Sequence, residues 1–263
     1  MKPFSLGIAV MLLAAVTVAQ GQINPVEPVT KLLASASQSP IILLSGKPEK
    51  PTPPPCLAQY SDNFDSASVW WDWGNVFIHT DTTGGTIHEV NNGTLVLQNA
   101  RLNFLPTESS NYVITAKICI TALLDTAQEG HGSILFRRTE LPPGQNIPGT
   151  YGNSATYTLF EAPKMFGGVL YLGKGGYFNN DTTWDNYALA LREYDFSYGD
   201  HINPNHPSPW YTLRIEMAGS SMKGYVDNVL LVQAKDMLLP TGTIALASWN
   251  ATVLFDDFSV CFK

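Results

Sequence analysis

The segment from Pro209 to Lys263 constrains the fold most, because apolar and polar residues alternate along it with a period of two. Between Tyr211 and Met217, four apolar residues point to one side and three polar residues to the other, which is the pattern of a half-buried strand. Glycine and serine at 219–221 and the pair at 227–228 interrupt the pattern with residues that tolerate turn geometry. The segment therefore predicts a meander of four or five antiparallel strands.

The same alternation recurs earlier in the chain, between turns rich in glycine and asparagine. The longest example is 111–123, which predicts that the apolar residues at 112, 114, 116, 118 and 120 share one face. With 21 Gly, 18 Pro and 14% charged residues, the composition suits a sandwich with many turns. We predict an all-β fold of two antiparallel sheets. The insertion at 174–209 is the longest irregular stretch, and long loops are where binding residues tend to lie.

The first 55 residues differ from the rest of the chain. Residues 1–21 carry a lysine at position 2, an apolar run and small residues near the end, as a secretory signal peptide does. Residues 22–55 end in a proline-dense stretch that favours extended backbone, so they are expected to form a spacer. The sequence therefore predicts a secreted protein with one folded domain at 56–263. No second long apolar run follows, so no membrane partner is expected.

The charge balance bears on possible partners. The chain has 15 Lys and Arg against 22 Asp and Glu, a formal net charge of −7. Phosphate binding needs a basic footprint, and the basic residues form no run. Nucleic acid is therefore excluded as an expected partner.

Short motifs in the domain resemble those of concanavalin A-like lectin and glucanase jelly rolls, above all the laminin-G-like branch and 3-keto-disaccharide hydrolase domains. The resemblance covers about residues 56–263 and implies a jelly-roll sandwich. The motifs are Asn63-Phe64-Asp65 with Trp70, Asn92-Gly-Thr-Leu95, Gly132-Ser-Ile-Leu-Phe-Arg137, Trp210-Tyr-x-Leu-x-Ile215, Gly224-Tyr-Val-Asp-Asn228, Gly242-x-Ile-Ala-Leu246 and Phe255-Asp-Asp-Phe258.

The resemblance implies a carbohydrate ligand, and aromatic rings beside polar groups are the usual platform for a sugar. Arg137 matches the arginine that ends one of the relatives' strands. Trp70, Trp71 and Trp73 form a rival aromatic set, of which at least one member is expected in the core. The candidate ligand-binding residues are Arg137, Tyr157, Tyr171, Trp184, Asp185 and Tyr187.

Catalysis is the alternative to binding. A retaining glucanase of this fold needs two carboxylates on one strand face. Glu161 stands alone on its strand, and Asp256 and Asp257 are adjacent and so point to opposite faces. The resemblance, together with the aromatic residues, makes a secreted carbohydrate-binding protein that acts on extracellular or cell-wall polysaccharide the leading hypothesis. The alternatives are a glycoside hydrolase, a polysaccharide lyase, or a structural or adhesion module without a sugar ligand.

The resemblance also implies a structural calcium ion and a disulfide. Asp65 and Asp256 occupy places comparable to those of oxygen ligands near the first and last strands of such jelly rolls, and no other cofactor is expected. Because those strands lie close together in this type of fold, Cys56 is expected to pair with Cys261. Cys119 with Cys261 is the competing pair.

Three sequons can accept glycans if the protein comes from a eukaryote. They begin at Asn92, Asn180 and Asn250. A glycan at Asn180 would lie beside the candidate binding loop and would count against that loop as a ligand site.

Overall fold

A computed structural model describes residues 55–80, 82–106, 110–162, 168–178, 184–193, 202, 205 and 207–263 of the chain. The expected signal peptide at 1–21 and all but the last residue of the expected spacer at 22–55 lie outside these ranges. Within them, no helix has the length and apolar character needed to cross a membrane.

Fifteen strands make up the regular structure of the described residues, as the alternating sequence pattern predicts. They are β1 (Ala58–Asp62), β2 (Phe77–Ile78), β3 (Ile87–Asn91), β4 (Thr94–Gln98), β5 (Ala100–Phe104), β6 (Tyr112–Leu123), β7 (His131–Glu140), β8 (Ser154–Ala162), β9 (Val169–Gly176), β10 (Asp185–Glu193), β11 (Tyr211–Ala218), β12 (Ser221–Val226), β13 (Val229–Lys235), β14 (Thr243–Trp249) and β15 (Ala251–Phe262).

The strands form two antiparallel sheets, which confirms the predicted sandwich. Sheet A has the order β13-β12-β11-β6-β15-β4-β3. The strand β1 also belongs to sheet A and pairs with the second half of β15, beyond the part that pairs with β4. Sheet B has the order β10-β9-β8-β7-β14-β5-β2.

The core lies between the sheets and follows from the period of two along each strand. In β6, Tyr112, Ile114, Ala116, Ile118 and Ile120 are buried, as the sequence predicts for one face. Sheet B contributes a second inward-facing set, Ile134, Phe136, Leu159, Leu170, Leu172 and Leu246.

Trp71 anchors one end of the core. Its ring is 2% exposed and packs against Phe104 and Phe258, with centroids 5.3 and 4.9 Å away. Its indole Nε1 donates a 2.9 Å hydrogen bond to Asp62, which satisfies the one polar atom of the ring. At least one of the tryptophans at 70, 71 and 73 is expected in the core, and the structure places Trp71 there, whereas Trp70 is exposed.

The chain ends of the domain are tied together. Cys56 precedes β1, Cys261 lies in β15, and the two form a disulfide. The register that pairs Ala58 with Phe262 brings them side by side. Cys119 is a buried free thiol whose Sγ donates to the carbonyl of Ser208 at 3.2 Å, so the competing disulfide does not form.

Candidate functional site

The outer face of sheet B, the side turned away from sheet A, gathers aromatic side chains from several strands. Gly132 faces inward, because a Cβ there would lie 2.4 Å from the side chain of Ile118. Its neighbours His131 and Ser133 therefore point outward. The register extends this outward row across β14, β8 and β9.

Four of these side chains form what we call the aromatic ladder: Trp249, His131, Phe160 and Tyr171. The ring centroids are 5.6 Å apart between Trp249 and His131, 4.4 Å between His131 and Phe160, and 4.3 Å between Phe160 and Tyr171. The three interplanar angles lie between 17° and 28°. The rings therefore stand side by side across neighbouring strands, close to the strand spacing of about 4.8 Å.

Two glycines of β9 make room for rings on this face. A Cβ at Gly173 would lie 2.1 Å from the Tyr171 ring, and a Cβ at Gly175 would lie 2.8 Å from the Trp184 indole. Both positions need glycine because the rings lie against the bare backbone. The outer face thus continues from the ladder to Trp184, which is 40% exposed and donates from Nε1 to Asn186 at 3.2 Å.

The ladder carries no charge at neutral pH. Burial lowers the pKa of His131 to about 3, and the nearby His79 lowers it further in the same direction. The neutral imidazole can therefore stack between Trp249 and Phe160 without a counter-ion.

A charged cluster lies beside the ladder, on β5 and the far end of β7. The guanidinium carbon of Arg101 lies 4.3 Å from the centroid of the Phe77 ring. Arg138 forms an ion pair with Glu140. Burial lowers the pKa of Arg101 to about 9, the charge of Arg138 lowers it further, and Glu140 opposes both effects. These three head groups therefore lie close together, and we call them the arginine cluster.

Two of the six predicted ligand residues, Tyr171 and Trp184, lie on this face. Tyr171 is mostly buried at the end of the ladder, and burial raises the pKa of its hydroxyl to about 12. Trp184 is the most exposed aromatic ring beside it. The sequence alone indicates neither side chain's orientation, and the register provides it.

The structure corrects the prediction for Tyr157, which points into the sandwich and is fully buried. Its hydroxyl donates to Asp236 and accepts a 3.2 Å hydrogen bond from the backbone N–H of Leu239. Lys174 also pairs with Asp236 at 2.9 Å. Tyr157 therefore stabilises the loop before β14 and is not available to a ligand.

The structure also corrects the prediction that Arg137 binds ligand. It has a φ of 48° at a β-bulge, and its side chain is 1% exposed. Its guanidinium donates to the carbonyls of Leu239 at 3.1 Å and Gly219 at 2.6 Å, and to that of Ser110. These partners come from sheet A and the β13–β14 loop, so Arg137 holds the two layers together. It contacts protein backbone where a ligand-binding residue would face solvent.

Tyr187 and Asp185 lie on the opposite side of β10 from the ladder. Tyr187 is paired with Lys174, which is itself paired with the inward-facing Tyr157. Its ring contacts Phe178 at 5.2 Å. The predicted group of 184, 185 and 187 is therefore divided between two faces of the edge strand.

Five residues of this face were not predicted from the sequence as site residues: His131, Phe160, Trp249, Arg101 and Arg138. Each lies in a strand, and only the register between strands shows that they meet. The glycines at 173 and 175 were the available signal, since two bare positions on one strand face indicate close approach of other groups.

The predicted calcium ligands lie elsewhere, near sheet A. Asp65 accepts a 2.7 Å hydrogen bond from the side chain of Asn63, and Asp256 accepts one of 2.7 Å from the backbone N–H of Asp257. Among the residues that the structure describes, no group of three or more His, Cys, Asp or Glu side chains is arranged to hold a metal ion. Calcium stays an untested prediction.

Two of the three predicted glycosylation sites lie in the described ranges. Asn92 is exposed in the turn between β3 and β4. Asn250 is 1% exposed, and its amide Nδ2 donates to the backbone carbonyls of Asp125 at 3.0 Å and Glu129 at 2.9 Å. The structure therefore corrects the prediction for Asn250, which has no room for a glycan. Asn180 lies outside the described residues.

Comparisons with known proteins found similar structures but no similar sequences. Neither a protein-family model nor a curated protein matches the sequence. A Bacillus subtilis protein of unknown function with a galectin-like fold is similar at a TM-score of 0.54 and 13% identity, over 80% of this chain and 96% of its own. The kappa-carrageenase of Pseudoalteromonas carrageenovora, solved with an oligotetrasaccharide of kappa-carrageenan, is similar at 0.50 and 11%, over 81% and 98%.

A carbohydrate-binding module of Bacillus subtilis, CBM66, has a TM-score of 0.47 at 17% identity, over 73% of this chain and 95% of its own. Identities this low show a shared fold and nothing about activity. The strand order, the two packed sheets and the similarities to the galectin-like protein and the carrageenase together show that the domain has the concanavalin A-like jelly-roll fold.

Proposed function

We propose that this protein binds carbohydrate on the outer face of sheet B. The observation that carries the proposal is the aromatic ladder, which lies on regular strands beside the arginine cluster. Sugar C–H groups pack against aromatic surfaces, and sugar hydroxyls take hydrogen bonds from neighbouring polar side chains. Because strands hold the rings, little conformational entropy is lost when a ligand binds.

The polar groups of this face suit such a ligand. Arg101 and Asn103 are paired with Ala247 and Ala245 of β14. The two alanine side chains are short, so β14 forms a shallow strip here between the longer side chains of β5 and β7. A sugar that contacts Trp249 would therefore have guanidinium and amide groups within reach on the next strand.

Binding is favoured over hydrolysis by the placement of carboxylates. On the strands of sheet B, the outward-facing carboxylates are Glu140, already paired with Arg138, and Glu193 at the end of β10. Beside β5, Asp72 follows the inward-facing Trp71, and both of its carboxylate oxygens accept from the side chain of Asn75. β7 and β10 are three strand spacings apart, or about 14 Å. Glu140 and Glu193 also lie at opposite ends of β8, because Glu140 pairs with Ser154 at its start, whereas Glu193 pairs with Val169, which in turn pairs with Ala162 at its end. Glycosidases need two carboxyls within about 10 Å.

Two further observations support a secreted carbohydrate-binding protein. The carrageenase was solved with a polysaccharide fragment, so this fold is able to hold such a chain. The disulfide Cys56–Cys261 belongs with an oxidising compartment, as the signal-peptide pattern of residues 1–21 does. We infer that the protein acts outside the cell on extracellular or cell-wall polysaccharide.

The test is retention of the full chain on a panel of immobilised polysaccharides, with product analysis on every polymer retained. Trp249→Ala should weaken retention at least about tenfold, because it removes a ring of the ladder. Trp210→Ala is the matched control, since Trp210 is 42% exposed and precedes β11 of sheet A. Retention without new reducing ends or unsaturated products supports binding. No retention on any polymer, or equal losses in both variants, would contradict the proposal.

A further inference from the structure

We propose that the ligand of this face is an anionic polysaccharide, whose sugar units carry carboxylate or sulfate groups that bind at the arginine cluster. The inference rests on the proposed function and names its substrate class. It starts from the charge of the cluster, in which two guanidinium groups face one carboxylate, that of Glu140, and only Arg138 forms an ion pair with it. The cluster is therefore positive, on a protein whose formal net charge is −7.

Arg101 is the unsatisfied member. Its Nε is buried and has no hydrogen-bond partner among the described residues. Phe77 holds its planar guanidinium from one side, with 4.3 Å between the guanidinium carbon and the ring centroid. A stacked guanidinium keeps its N–H fork in a fixed plane, and that fork matches the paired oxygens of a carboxylate or a sulfate.

The surroundings of Arg101 disfavour its charge in the free protein. Burial lowers its pKa to about 9, and repulsion from Arg138 acts in the same direction. The side chain remains charged at neutral pH, so the desolvation of this charge and its repulsion from Arg138 lower the stability of the folded protein. A bound anion would offset both the burial and the repulsion.

Arg214 on sheet A shows what distinguishes the arginine cluster. Its guanidinium carbon lies 4.0 Å from the centroid of the Tyr225 ring, and its Nε also has no partner among the described residues. Glu216, however, lies 3.0 Å from it and balances its charge. The second guanidinium, and not the stacking, makes the cluster of sheet B a place for an anion.

The cluster is also at the right distance from the ladder. Arg101 is paired with Ala247, and Trp249 is two residues further along the same strand. Two residues of a strand span about 7 Å, which is within reach of one sugar unit and its substituent. A sugar that contacts Trp249 can therefore place its charged group on Arg101.

The experiment measures affinity of the full chain for matched polymers that differ only in charge. One pair is polygalacturonate and its fully methyl-esterified form, which compares a carboxylate with a neutral ester. The other is a sulfated galactan and its desulfated form. We expect binding of one charged polymer, at least about tenfold weaker binding of its neutral partner, and loss of affinity as salt rises.

Variants assign the effect to the cluster. Arg101→Gln should weaken binding of the charged polymer at least about tenfold, and Arg101→Lys should restore part of the loss by keeping the charge. Glu140→Gln should strengthen binding, because it removes the competing carboxylate. Arg214→Gln is the control and should change nothing. Thermal melting of each variant checks that it folds.

The outcomes separate the two proposals. Equal binding of the neutral and charged polymers, with Arg101→Gln unchanged, would overturn the anionic specificity and leave carbohydrate binding intact. Binding of no polymer would overturn both. Binding of charged polymers that Arg214→Gln weakens as much as Arg101→Gln would also overturn the inference, because the site would then lie elsewhere.

Discussion

Arg137 and Arg138 are consecutive in the chain, yet the first holds the two sheets together and the second lies on the outer face of sheet B. A β-bulge between Phe136 and Thr139 causes the separation. In a regular strand Arg137 would follow the inward-facing Phe136 onto the outer face, but at φ 48° it turns inward as well. Arg138 then pairs with Thr243 of β14 and forms its ion pair with Glu140.

Arg137→Met should destabilise the fold by about 3 kcal/mol, because it removes the hydrogen bonds of a buried guanidinium to three backbone carbonyls, of which that of Leu239 is itself buried. Arg138→Met removes an ion pair whose carboxylate is 55% exposed and should cost about 1 kcal/mol or less. Urea unfolding of the two variants measures the difference. Similar losses in both would show that Arg137 does not hold the sheets together.

Removal of the disulfide should cost more than removal of the third cysteine. Cys56 and Cys261 are 205 residues apart in sequence, and closing so long a loop lowers the entropy of the unfolded chain by the equivalent of about 5 kcal/mol. The double change of Cys56 and Cys261 to Ser should therefore lower the melting temperature strongly. Cys119→Ala should change it little, since its Sγ contributes one weak hydrogen bond. Equal melting of the double variant and wild type would contradict the pairing.

Glu161 should make stability depend on pH. Its carboxyl is fully buried, and neither oxygen has a hydrogen-bond partner among the described residues. Burial raises its pKa well above the ordinary value, and the charge of Asp227 acts in the same direction. The folded protein therefore keeps the proton at a pH where the unfolded chain has lost it, above about 4.3. Stability is full below that pH and falls as the pH rises toward the pKa of the folded state.

Glu161→Gln removes this dependence, because an amide does not titrate. The free energy of unfolding of the variant should exceed that of the wild type by a margin that grows with pH, by up to about 1.4 kcal/mol per pH unit. Urea unfolding between pH 4 and pH 8 tests this. Glu89→Gln, on the exposed part of β3, is the control variant. A constant margin for Glu161→Gln would contradict the prediction.

Glycan occupancy should distinguish two sequons when the chain is produced in a eukaryotic secretory pathway. Asn92 is exposed and should carry a glycan. Asn250 should carry none, because both hydrogens of its amide are donated to backbone carbonyls. Mass spectrometry of glycopeptides measures both sites. A fully occupied Asn250 in folded protein would contradict the placement of that side chain.

The fold could be predicted from the sequence because alternation is a local property of each strand. In β6 the residues expected on one face are the buried ones, and the segment from Tyr211 onward forms the expected meander. Motifs near the two ends of the domain resembled those of jelly rolls and so indicated the type of sandwich. These signals need no knowledge of which strands pair.

The site could not be predicted in the same way, because it depends on register. Tyr157 and Tyr171 were equivalent in sequence, each within an alternating strand. The pairing of Phe160 with Tyr171 sets Tyr171 outward and Tyr157 inward. A bulge at Arg137 and another in β10 between Ala188 and Ala190 then shift the alternation within a strand, which no periodic pattern indicates.

Binding on the outer face of sheet B is tested most directly by NMR of the indole N–H signals of the six tryptophans during titration with oligosaccharides of the retained polysaccharide. If ligand binds on the outer face of sheet B, the signals of Trp249 and Trp184 shift as ligand is added. Those of Trp71 in the core and Trp210 before β11 should stay in place. A shift of Trp210 while Trp249 and Trp184 stay unchanged would contradict binding on the outer face of sheet B.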